Sequence, residues 1–388
     1  MPQQAERLLK LPPYVFSVIG DRLRQMQRDG IDVVRLDIGN PDMPPPPEVV
    51  EVLYKSARDG GNHGYTGYRG FAGFRDATAE YYKKRFGVDL NPDTEVLPLI
   101  GSKEGIVNLS LAYLDKGDIA LVPDIGYPSY SMGAMLAGGE IHWLPTRAEN
   151  NFEPSIDAIP EDVLRRAKLL WVNYPNNPTG ATVDLAFYDR MAAFCKQNDI
   201  LLVSDNPYMD VTFGDYQAPS ALQASDTTNV LEFFSFSKSY NMAGWRLGVA
   251  VGSAQAIDDL LRVKSNVDSG HFKPIYEAGV RAYQVSQKWI DDRNAVYQHR
   301  RDRIMDALAS IGLSAEVPRG SLYVWARTED MPSAEYVERA LTEAHVSIAP
   351  GAAYGDGGEG FVRISLGTPD ERLQTALNRL STWYQQRR

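Results

Sequence analysis

The stretch "SFSKSYNMAGWRLG" puts Lys238 directly behind the apolar run "VLEFFSF", among Ser235, Ser237 and Ser239, with Arg246 eight positions further on. A lysine amine has a reference pKa near ~10.4, so in water it is protonated and a poor nucleophile. Condensed with an aldehyde it becomes an imine that an incoming amine can displace. Most lysines are solvated and do no such chemistry, but the apolar run ahead of Lys238 argues for a less wet setting. Asp205 closes another apolar run, "DILLVSD", and Tyr208 follows three residues later. Beside a cation in a poorly solvated site such a carboxylate keeps its charge, and its pKa falls. In "GSKEG", between "VLPLI" and the helical stretch "IVNLSLAYL", backbone N–H groups and Ser102 Oγ would meet a small anion at the positive end of a helix. Arg246 can bind the same anion bidentately. Arg363, in "GFVRISLG", sits on a run that reads as buried, and a buried arginine demands an anionic partner.

Elements must bring these residues together. The chain has 388 residues and 44% apolar content, too long for one ordinary domain and long enough for a large core in two lobes. Between about residue 45 and 285, "TEVLPLI", "DIALVP", "KLLWVNYP", "DILLVSD", "NVLEFFSFS" and "RLGVAVG" alternate with helix-length stretches. Runs apolar throughout imply strands covered on both faces, hence an α/β fold with a mainly parallel sheet. The prolines 44 to 47 precede a helix expected from Glu48. Beyond 285 a long polar helix leads to "LYVWAR", "VSIAP" and "FVRISLG", a smaller α+β domain that residues 1–44 join through "VVRLDIG". Ligands of doubly wound sheets sit outside the carboxyl ends of the strands. Five runs end there in small, hydroxylic or ionisable residues ("GSKEG", "IGYPSY", "NNPTG", "NPY", "KSY"), which suggests one shared pocket.

The formal charge of -10 disfavours a nucleic-acid or membrane footprint. No long apolar segment follows a basic N-terminus, so the expectation is a soluble, cytoplasmic protein. Cys195 is the only cysteine, which excludes an intrachain disulfide or a multi-cysteine metal site and reads as a core residue.

Gly101-Ser102-Lys103, Tyr127, Asn177-Pro178-Thr179-Gly180, Asp205 with Tyr208, Ser235 with Lys238 and Arg246, and Arg363 occur in one order along nearly the whole chain. In this the sequence resembles the class I/II aminotransferases, pyridoxal-phosphate enzymes of fold type I. "GSKEG" and "FSKSYNMAGWRLG" are similar to the branch holding alanine and LL-diaminopimelate aminotransferases. The resemblance implies a Schiff base between Lys238 and the cofactor, after whose release the amine shuttles the Cα proton. It implies Asp205 on the pyridine nitrogen, Tyr208 and Asn177 donating to the phenolic oxygen, and Tyr127 stacked on the ring. Ser102, Ser235, Ser237 and Arg246 would hold the phosphate, with Tyr65 of "HGYTGYRG" reaching in from the other subunit of a homodimer. Arg363 would take the substrate α-carboxylate, and Gly39 would let the backbone approach it. Lys103 serves either the phosphate or the distal end of the substrate.

The implied reaction moves an amino group from an L-amino acid to a 2-oxo acid, with 2-oxoglutarate as acceptor. One subgroup of aspartate enzymes takes the side-chain carboxylate with an arginine from the loop after the lysine. Here that loop reads "SNVDSGHFKP", with no arginine between Arg262 and Arg281. His271 and Lys273 are substitutes or plain loop residues. The "NVDSG" wording resembles the LL-diaminopimelate enzymes more than the alanine or aspartate ones. A lyase of the same fold and a non-catalytic regulator with an aminotransferase-like domain are the alternatives; the latter needs a DNA-binding module for which the chain has little room.

Overall fold

The computed structural model describes residues 1–12 and 15–387. A short strand β1 (Val34–Arg35) is followed by β2 (Val96–Leu99), β3 (Ile119–Pro123), β4 (Glu140–Leu144), β5 (Ala167–Val172), β6 (Leu201–Asp205), β7 (Val230–Ser235) and β8 (Gly248–Gly252). The last seven form one sheet in the order β2-β8-β7-β6-β5-β3-β4. Only β8 runs against its neighbours; the other pairings are parallel.

The apolar runs follow from this layering. Side chains alternate along a strand, and on β5 Leu169 and Trp171 enter one core with Leu97, Ile106, Leu109, Phe233 and Leu260. Leu170 and Val172 enter the opposite core with Phe74, Tyr82, Phe187, Phe234 and Val249. Cys195 is in that second core, and burial pushes its thiol pKa up. Strand β4 was not anticipated. It lies at the edge, with Trp143 exposed, so "EIHWL" lacks the continuous apolar character of a strand buried on both faces. The helix expected from Glu48 runs Pro47–Ala57, with proline in the first turn, where its missing N–H goes unused.

Past the long helix Gln287–Ala307 come β9 (Leu313–Ser314), β10 (Tyr323–Thr328), β11 (Val346–Ser347), β12 (Ala349–Pro350) and β13 (Phe361–Ser365). An antiparallel sheet β12-β13-β10-β9 forms, and β1 pairs in parallel with β11, Arg35 opposite Ser347. The N-terminal segment thus packs with the C-terminal part. Their shared core holds Val34, Leu36, Tyr297, Ile304, Val324, Ile364 and Leu380, and Tyr208, Val211 and Phe213 reach it from beyond β6.

Candidate active site

The rim of the large sheet, the start of the helix Ser102–Tyr113 and strand β13 enclose a cleft of about 340 Å³. Every residue to which the resemblance gives a cofactor or substrate role lines it, except Tyr65; of "NPTG" only Asn177 does, and His271 and Lys273 do not. Tyr65 is 89% exposed, outside the cleft of its own chain.

Strand β7 delivers Lys238. Ser235 caps the turn Phe236–Ser239, its hydroxyl accepting from Ser237 N at 3.3 Å, and the Lys238 ammonium donates to the Gly39 carbonyl. Burial, then the charges of Arg363 and Arg246, lower the Lys238 pKa to about 7. A large fraction of the amine is therefore neutral at physiological pH. The turn is also held from behind: buried Arg293 donates to Lys238 O at 3.1 Å and to the carbonyls of Ser239 and Asp210.

At the end of β6, Asp205 accepts from Tyr130 Oη at 2.8 Å through Oδ2, while its buried Oδ1 has no partner. Its pKa is raised to about 7 by burial, against the opposing Tyr130 hydrogen bond. The expected lowering is thus not a property of the chain alone, because among the described residues no cation contributes to the Asp205 shift.

Arg246 lies against the first turn of the helix Ser102–Tyr113. A Cβ on Gly101 would stand 2.3 Å from Arg246 Nη2, so only glycine, here with φ +76°, permits that approach. A guanidinium beside the positive end of a helix is unfavourable unless an anion sits between them. Ser102, Ser235 and Ser237 add hydroxyls. Lys103 completes the cluster with its pKa lowered by burial and by Arg246, 6.0 Å above the Tyr127 ring.

On β13, Arg363 donates to Asn177 Oδ1 and to Asp37 O, both at 2.8 Å, and lies 3.9 Å over the Tyr323 ring. With Asn177 Oδ1 so engaged, its Nδ2 is the donor end left to the cleft. Tyr208 Oη is 3.0 Å from Tyr323 Oη. A Cβ on Gly39 would be 2.8 Å from Tyr323 Oη, so glycine is needed for close packing here. His271 and Lys273 do not supply a cation to this cleft. His271 Nε2 donates to Arg246 O at 2.8 Å, and burial lowers its pKa to about 4. Lys273 Nζ donates to Asn62 Oδ1 at 2.7 Å and pairs with Glu277.

Sequence reasoning passed over Tyr130, Asn173, Tyr323, Arg35, Asp37 and Arg293. Tyr130 stood in the quoted "IGYPSY", and its stacking on Trp171 at 5.0 Å explains why it reads as core. Asn173 precedes "NNPTG"; its Nδ2 donates to Asp205 O at 2.6 Å and its Oδ1 accepts from Asn177 N at 2.8 Å. Tyr323 and Arg293 carry no local signal, since their partners are distant in the chain.

Pyridoxal phosphate fits this donor set. The unpartnered carboxylate oxygen awaits a protonated ring nitrogen, the cationic helix start awaits a dianion, and an amine of lowered pKa lies among residues serving both ends. A second cleft, of about 420 Å³ around Phe152, Trp325, Arg327 and Phe361, contains no lysine and none of this chemistry.

The chain belongs to the aminotransferase class I and II family, whose profile matches residues 31–380. It is an aminotransferase of fold type I, exchanging amino groups between amino acids and 2-oxo acids, and the family is pyridoxal-phosphate dependent. It is 46% identical to an LL-diaminopimelate aminotransferase of Dehalococcoides mccartyi, over 98% of this chain and 99% of that one. It is likewise 46% identical to that of Moorella thermoacetica, over 97% of each. The apo structure of BacF from Bacillus subtilis superposes with a TM-score of 0.95 at 36% identity, over 99% of both chains. Among the described residues no helix is long and apolar enough to cross a membrane.

Proposed function

We propose that this enzyme takes the amino group of LL-diaminopimelate and delivers it to 2-oxoglutarate in a ping-pong reaction. The substrate assignment is supported by the identity to LL-diaminopimelate aminotransferases along nearly the full chain. The chemistry rests on one observation: Lys238, of lowered pKa, shares a cleft with a buried carboxylate lacking a partner on one oxygen and with a guanidinium at a helix start.

Pyridoxal phosphate, when bound, supplies an aldehyde that exchanges amino groups and a ring that takes up the electron pair left at the substrate Cα. Lys238 Nζ, a large fraction of it neutral near pH 7, accepts the Cα proton and returns it on the cofactor side. Asp205 Oδ1 keeps a proton on the ring nitrogen, and Tyr130 and Asn173 hold that carboxylate and its backbone in place. Tyr208 Oη and Asn177 Nδ2 donate to the phenolic oxygen, and Tyr127 covers the ring. Ser102, Lys103, Ser235, Ser237 and Arg246 hold the phosphate, joined by the partner's Tyr65 in a homodimer. Arg363 orients the α-carboxylate against the backbone at Gly39. Residues 45–285 form the cofactor-binding domain, and 1–44 with 286–388 the smaller one, in a cytoplasmic enzyme.

The test is a panel of amino donors, among them LL-diaminopimelate, alanine and aspartate, each run with and without 2-oxoglutarate. The expected result is oxo-acid-dependent turnover with LL-diaminopimelate the best donor. Preference for alanine or aspartate would overturn the substrate assignment.

A further inference from the structure

Lys264 has no place in the roles above, although its side chain is only 2% exposed and a lysine is seldom so buried without partners. It ends the helix Ala254–Lys264, which packs along the helix Ser102–Tyr113. Its Nζ donates to Glu104 Oε1 at 3.2 Å and to Asp268 Oδ1 and Oδ2 at 2.8 and 2.7 Å. Each carboxylate fixes a different wall of the phosphate end. Glu104 stands in the first turn of the helix Ser102–Tyr113. Its Oε2 accepts from Ile100 N at 3.2 Å and its Oε1 from Asn108 Nδ2 at 2.7 Å, so it ties the backbone that enters the helix to the turn that follows. Asp268 Oδ1 also accepts from Gly270 N at 2.8 Å, which shapes the bend into His271. There His271 N donates to Tyr276 Oη at 3.2 Å, and its Nε2 reaches Arg246 O at 2.8 Å. A carbonyl only accepts, so Nε2 carries the ring proton. Arg246 needs that donor, because at φ +58° it holds a left-handed conformation that is unfavourable for a residue with a Cβ. The helix start and the guanidinium beside it are thus tied to one buried cation, by Glu104 on one side and by Asp268 and His271 on the other.

We propose that Lys264 is a positioning residue for the cofactor phosphate. Through Glu104 it sets the N–H groups of the helix start, and through Asp268 and His271 it sets the backbone from which Arg246 reaches the anion. This rests on the reading that Arg246 and the start of the helix Ser102–Tyr113 hold the phosphate, and deepens it by naming what holds them.

In the test, the full-length apo-protein is titrated with pyridoxal phosphate and with pyridoxal, which has the ring and aldehyde but no phosphate. Visible absorbance gives a Kd for each, and the ratio of the two isolates what the phosphate contributes. Lys264→Met alone would leave two carboxylates buried without their cation, so the main variant is Glu104→Gln, Lys264→Met, Asp268→Asn, which removes all three charges. Its preference for the phosphorylated form should fall about 10- to 100-fold, the range expected when charge-assisted hydrogen bonds are misplaced, with pyridoxal bound as in wild type. Asp268→Ala leaves the Lys264–Glu104 pair whole and cuts only the arm to Arg246, for a loss of about tenfold. His271→Phe cuts the same arm and should match it, while His271→Gln, which restores an N–H donor, should recover most of the preference. Should the triple variant fail to fold, Asp268→Ala and the two His271 variants carry the test. Variants that weaken both ligands alike, or leave the ratio unmoved, overturn the proposal. Arg246→Ala separates this from the reading beneath it. If Arg246→Ala collapses the ratio and the other variants do not, only the role of Lys264 falls; if Arg246→Ala leaves the ratio unmoved, the phosphate assignment itself falls.

Discussion

Asp205 carries the clearest consequence of burial for a single group. Its pKa in the folded chain is raised to about 7 from 3.8, so without cofactor the folded state binds a proton that the unfolded state releases. Stability from this group is fully present below pH 4 and is lost as pH rises through 7. A shift of this size corresponds to on the order of 4 kcal/mol. Asp205→Asn removes the titration and keeps an acceptor for Tyr130. Relative to wild type, cofactor-free Asp205→Asn should therefore gain stability progressively between pH 4 and 8 in urea unfolding. Parallel pH curves for the two proteins would show that the carboxylate is not desolvated. In the loaded enzyme the same substitution should slow Cα deprotonation severely, since the ring nitrogen loses its fixed anion. That reversal, costly alone and needed when loaded, marks a residue kept for chemistry at the expense of the fold.

Elements set the position of Lys238 as much as its own sequence does. The turn that carries it was legible because a strand apolar throughout, then serines and a lysine, can only be a buried strand ending at a rim. What lies behind the turn was not legible. Arg293, 3% exposed on the helix Gln287–Ala307, bonds three carbonyls, two of them 54 and 55 residues away in the chain, and its own stretch, "DDRNAVYQHRRD", reads as a solvated polar face. Tyr323 was missed for the same reason: its meaning lies in contacts that no local period encodes. β4 was missed because an edge strand has one face in water. Arg293→Met should leave buried carbonyls unpaired, at about 1–3 kcal/mol for each in denaturant unfolding, and Arg293→Lys should recover part of it. If Arg293 positions the lysine, the pH midpoint of the cofactor's visible absorbance in the holoenzyme should also move and kcat should fall more than KM changes. An unmoved midpoint with lowered stability would reduce Arg293 to a structural tie.

At the scale of the molecule, part of the exposed apolar surface lies around Tyr65. Val50, Tyr54, Tyr65, Tyr68, Val267 and Phe272 are all exposed. His63 and Phe272 rings lie 5.1 Å apart and Thr66 donates to His271 O, which draws the segments around 63–68 and 267–272 into one region. Such a surface is rarely left bare, and a twofold interface here would carry Tyr65 into a neighbouring copy. In that arrangement each site combines Lys238 of one protomer with Tyr65 of the other, so the two functions can be separated genetically. Lys238→Ala alone should be inactive, and Tyr65→Phe alone weakened through a lost phosphate hydrogen bond, by about tenfold. Co-expressed with different affinity tags and purified through both, the mixed dimer carries one site with both residues intact and one with neither. Its activity per dimer should approach half that of wild type, well above the mean of the two parent variants. Activity no higher than that mean would place Tyr65 in the site of its own chain or in none, and the exposed face would then need another occupant.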